Sequence, residues 1–117
     1  MKKEVNAGDK KVVLVFNAAT PLIVKQMFNL DPFRFFKESE DMDVFERIPY
    51  LEKLAYTMAM QAEFPTKDVM EKEDGFIDWV AQFEFTELTS DILPVATEMW
   101  VMGNSTTSTP KNQDGPQ

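Results

Sequence analysis

One stretch limits the folds open to this chain more than any other: Tyr50 to Glu63, YLEKLAYTMAMQAE. Leu51, Leu54, Ala55, Met58 and Ala62 recur at three- and four-residue spacings, while Glu52, Lys53 and Gln61 fall off that stripe. The pattern predicts a central core helix. Pro49 sits where the first helical residue belongs, since its missing N–H costs nothing there. Pro65, with the restricted Phe64 before it, closes the other end. Tyr56 and Met60 lie apart from the stripe, so the helix is either packed on two sides or has a face left for a partner.

The other elements are shorter. Residues 1–10 are polar, contain Gly8 and show no period, which predicts a flexible lead-in. Residues 11–16, KVVLVF, form a β-branched run too short for a helix and predict a strand. Such a strand must pair within the chain or with another copy of it. Thr20-Pro21 and Asp31-Pro32 each place a capping side chain before a proline, predicting helices over about 21–29 and from Pro32 onward. Phe28, Phe33, Phe35 and Phe36 cluster there and are expected in the core.

Lys37 to Asp43 reads as a solvated acidic break, after which Val44, Phe45 and Ile48 rejoin the apolar pattern. Lys67 to Lys72 allows a turn of helix, and Asp74-Gly75 is a turn signal. Phe76, Ile77, Trp79, Val80 and Phe83 predict a helix over about 76–84. Ser90 can cap a last helix carrying Ile92, Val95, Met99 and Met102, with Gly103-Asn104 as its stop. Residues 104–117 are a low-complexity polar run expected to be disordered. The expectation is therefore a mainly α, single-domain bundle of about four to six helices over residues 11–103, with at most one or two strands near its start.

Composition removes much chemistry. The 117 residues include no cysteine and no histidine, which excludes thiolate nucleophiles, imidazole bases, disulfides and Cys/His zinc sites. Twenty acidic against twelve basic side chains give a formal charge of −8. That field disfavours nucleic acid and anionic membranes as partners. No apolar run reaches the roughly 20 residues that cross a bilayer, and no signal peptide opens the chain. A soluble, intracellular protein is expected. The carboxylates at Asp41, Asp43 and Glu71 to Asp74 lack the glycine and terminal glutamate of a calcium loop, and no nucleotide-binding or nucleophile-elbow pattern occurs. No catalytic residue, metal site or cofactor is expected.

What remains is a surplus of soft apolar groups. Eight methionines suit either gap-filling in a core or a surface that re-packs around partners. On the second reading Tyr56, Met60, Met99, Trp100 and Met102 are the candidate partner-binding residues, with Trp100 offset from the Met99 stripe as an interface anchor would be.

Three stretches carry a family likeness. VLVFNAATPLIVKQMFNLDPFRFF, LEKLAYTMAMQAEF and GFIDWVAQFEF, followed by a final helix and a polar tail, resemble the tail assembly chaperones of long-tailed bacteriophages over about Val12 to Met102. The chain departs from that pattern in the acidic break at Lys37 to Asp43 and in Pro21. The resemblance implies a non-enzymatic protein of the host bacterial cytoplasm that coats the tape measure protein and helps recruit tail tube subunits. It would be absent from the finished virion, and self-association fits the same role. It also implies a longer form made by programmed frameshifting. Pro110, Lys111 and Asn112 can be encoded by CCA-AAA-AAC, which holds the slippery heptamer A-AAA-AAC in phase. Two other readings stand beside this one: a small acidic inhibitor that mimics nucleic acid to bind a host enzyme, and a minor enzyme using carboxylates alone.

Overall fold

A computed structural model describes the backbone of residues 1–108 and the side chains of residues 1–103. Among them the chain forms a two-stranded sheet and six α-helices. The mainly helical single domain expected from the sequence is what is observed.

The first ten residues are a correction. Strands β1 (Lys2–Ala7) and β2 (Lys10–Val15) form an antiparallel hairpin in which Ala7 opposes Lys10 and Lys2 opposes Val15. Gly8 and Asp9 make the two-residue turn, with φ positive (65°) at Gly8 alone, the pattern of a type II′ turn. Alternation then sends Val5, Ala7, Val12 and Leu14 inward, all buried. The strand's partner is thus the segment that looked like a lead-in.

Helix α1 (Thr20–Phe28) carries Pro21 in its first turn and ends at Asn29, whose left-handed φ of 53° closes the helix. Thr20 does not cap it. Its buried hydroxyl accepts from Asn17 N–H (3.0 Å) and donates to Gln61 Oε1 (2.6 Å), joining the strand-to-helix corner to the central helix. Asp31 does cap helix α2 (Pro32–Glu38), accepting from the N–H groups of Phe33 and Arg34. Phe35 is buried and Phe28 and Phe36 partly so, whereas Phe33 is exposed.

The central helix, α3 (Val44–Glu63), begins well before Tyr50. Asp43 and Glu46 form a reciprocal capping box, with Glu46 N–H to Asp43 Oδ1 at 2.9 Å and Asp43 N–H to Glu46 Oε1 at 3.2 Å. Two satisfied donors there fix the start, and Pro49 falls inside the helix. The acidic break is correspondingly shorter, a single 3₁₀ turn at Ser39–Asp41. Every residue from Leu54 to Met60 is buried, so the middle of α3 is enclosed on all sides.

Helix α4 (Thr66–Val69) and a 3₁₀ turn at Glu73–Gly75 lead to α5 (Phe76–Ala81), which stops short of residue 84. Glu84 N–H donates to Glu87 Oε1 at 2.8 Å, a contact that opens the next helical run. That run includes a π-helical segment at Glu87–Ile92 and continues into α6 (Leu93–Ser108). Ser90 therefore lies within a helical run and does not cap one. Pro94 withholds the bond to the carbonyl four residues back, and the widened π turn lies directly before it, where such irregularities concentrate.

Gly103 is not a stop. The helix passes through it, and a Cβ there would lie 2.2 Å from Phe16 Cε1, so glycine permits the Phe16 ring, just after β2, to pack against α6. Helix thus extends into the run expected to be disordered, as far as Ser108. The rest of that run, with the proposed frameshift residues Pro110, Lys111 and Asn112, lies outside the described residues.

Two aromatic groups flank α3. Trp100 is fully buried, edge-on to Phe16 at 5.0 Å and near Phe36, with its indole N–H 3.0 Å from Met58 Sδ. Tyr56 makes edge contacts with Phe28, Phe76 and Trp79, and Trp79 with Phe83.

Candidate interaction surface

The fold separates the candidate partner-binding residues. Tyr56 and Met60 are buried, at 2% and 8% exposure, and Met99 and Trp100 are completely buried. These four are corrected from surface to core: Tyr56 is covered by Phe28, Phe76 and Trp79, and Trp100 by Phe16 and Phe36. Met102 alone is exposed, beside Val101 on the last described turns of α6.

Tyr56 has a structural task. Its hydroxyl donates to the Lys72 carbonyl, tying α3 to the α4–α5 connection, and a Cβ on Gly75 would sit 2.7 Å from that hydroxyl. Burial first, then the negative charges of Asp74 and Glu63, hold its phenol above the usual range. Partial burial likewise raises the Glu52 carboxyl.

The side chains that do offer apolar surface were not among the candidates. Phe45 is 76% exposed and Ile77 70%, with Leu22, Phe33, Val44, Val101 and Met102 also open. Leu22, Phe33, Phe45 and Ile77 share a feature: each stands in the first turn of its helix. The periodicity argument assigned Phe33, Phe45 and Ile77 inward because it extended each stripe to the helix end, where fewer neighbours are available to cover it.

A second feature is a cleft of about 250 Å³ between β2 and the helices α3 and α5. Lys2, Lys10 and Lys11 border it, Ala59, Ala62 and Glu63 of α3 line it, and Trp79 and Phe83 form its aromatic wall. Lys10 Nζ lies 3.6 Å from both Asp9 and Glu87 and 6.0 Å from the Phe83 ring centre. Lys11 Nζ is 3.8 Å from Glu4, both well exposed. Lys2 has no ion pair among the described residues. The sequence clue to this cleft was the Gly8-Asp9 turn just before the β-branched run of β2.

Among the described residues no cluster of acidic side chains could hold a metal ion, and no helix is long and apolar enough to cross a membrane. Comparison with protein families, curated proteins and solved structures finds no match.

Proposed function

We propose that the chain is a non-enzymatic assembly chaperone of the phage tail, binding the tape measure protein and assisting assembly of the tail tube. The observation that carries the reading is the set of large apolar side chains open to solvent on helix first turns and on α6, above all Phe45, Ile77 and Met102. Separate apolar anchors on several helices suit a client that presents many similar helical faces without one fixed sequence. The net charge of −8 keeps a loaded complex dispersed. Many copies on one long client supply avidity. The sequence resemblance at Val12 to Met102 is the reason for naming that client.

Co-expression with the long reading frame expected immediately downstream tests the proposal. The client should move from the pellet to the soluble fraction and co-purify with the chain. A client equally soluble with and without the chain would sink the reading.

A further inference from the structure

The hairpin leaves one strand edge open onto the lysine-bordered cleft. Met1 and Phe16 exchange both backbone bonds, Phe16 N–H to Met1 O at 2.8 Å and Met1 N to Phe16 O at 2.9 Å. In an antiparallel pair such exchanging positions alternate with non-bonded ones. With the observed register, Leu14, Val12 and Lys10 therefore bond to β1, while the N–H and C=O groups of Lys11, Val13 and Val15 point out along the free edge of β2. No other backbone bond among the described residues reaches those three. Unpaired strand edges are templates for a further strand, and a groove between a strand edge and a helix is a recurrent seat for an extended peptide.

We propose that this edge takes an extended acidic segment of a partner protein by strand addition. A strand laid beside β2 continues its pleat, so its side chains alternate between two environments. On the outer face they meet Lys11, with Lys2 across the hairpin on the same face. On the inner face they meet Trp79, Phe83 and Ala59. The matching segment therefore alternates carboxylate and apolar residues. Charge selects it: in a chain of net charge −8 the lining carries Lys2, Lys10 and Lys11 against the one carboxylate of Glu63, and although Lys10 and Lys11 are shared with Asp9, Glu87 and Glu4, Lys2 carries no ion pair among the described residues. The inference stands apart from the chaperone reading, since it rests on the edge and the lysines and holds for any partner with such a segment.

The test uses the full isotope-labelled chain titrated with a blocked Glu-Val-Glu-Val-Glu-Val peptide, with Lys-Val-Lys-Val-Lys-Val as its counterpart. The expected result is saturable shifts at the Lys11, Val13 and Val15 amides and the Trp79 indole with the acidic peptide alone, weakening as salt rises. V13P removes one edge donor while leaving the bonds to β1 intact, and should weaken binding about tenfold. K2E/K11E should weaken it at least as much. The buried Trp100 indole signal reports that each variant is folded; if V13P is not, K2E/K11E alone decides. Absence of shifts at millimolar peptide, equal response to the lysine peptide, or wild-type affinity in K2E/K11E overturns the proposal. So does an edge already occupied, by a second copy (amide shifts that depend on chain concentration) or by residues 109–117 (amide shifts produced by deleting them).

Discussion

Thr20 shows how a single hydroxyl can matter more inside a helix's first turn than as its cap. It accepts from Asn17 N–H and donates to Gln61, and Gln61 Nε2 in turn lies 3.2 Å from Asn17 Oδ1. T20V keeps the shape but leaves an amide and a carboxamide oxygen unpaired in a partly buried corner. The expected cost is about 1–3 kcal/mol, read as a lowered urea midpoint at unchanged slope. A change of only a few tenths would mean that water replaces the hydroxyl without loss.

Tyr56 makes a prediction of opposite chemical kind. Its phenol is held above the ordinary value of 10.0, first by burial and then by Asp74 and Glu63. A raised pKa in the folded state means that folding favours the protonated phenol. Its contribution is fully present below the unfolded pKa and is lost as pH rises through the folded one. Stability should therefore fall above about pH 10, with a phenolate absorbance step that Y56F removes. Y56F should also cost about 1 kcal/mol at neutral pH through the lost bond to Lys72. An alkaline limb unchanged in Y56F would show that other groups govern it.

At the scale of elements, two signals competed at the start of α3, and the stronger one lay earlier in the chain. Pro49 marks a plausible first helical residue, yet Asp43 and Glu46 close a capping box and the helix begins at Val44. Pro49 then removes the N–H that would bond to the Phe45 carbonyl. P49A restores that donor, partly offset by a freer unfolded chain, and should stabilise by about 1–2 kcal/mol. Measured destabilisation would instead show that the proline ring packs usefully against its surroundings. The elements legible in the sequence were those with a local chemical marker: Asp31-Pro32 for α2, the aliphatic run of β2, the Leu54 to Met58 stripe of α3. Those missed depended on distant partners. β1 shows only Val5 and Ala7 on its inner face, too little to signal a strand without β2 beside it. Gly103 reads as a helix stop until Phe16 is seen against it.

For the whole molecule, the same dependence on distant partners exchanged core and surface. Methionine and tryptophan positions that suggested a partner face are interior because the hairpin and α6 close over α3. First-turn residues that suggested core are exposed because the helix ends project beyond their neighbours. Residue type alone could not separate these cases, since Phe45 and Phe35 are chemically identical and only Phe35 is covered, stacked on Tyr50 at 5.0 Å. The distinction can be read in one paired experiment. M99A deletes a fully buried side chain and should cost about 2–5 kcal/mol, lowering client solubilisation only as far as it lowers the folded fraction. F45D/I77D places charges where side chains already meet water, so the thermal midpoint should move by no more than the small amounts usual for surface changes. On the chaperone reading, the same variant should leave the tape measure protein in the pellet. If F45D/I77D solubilises the client as wild type does, those two helix starts are incidental, and the anchoring surface must be sought at Val101 and Met102.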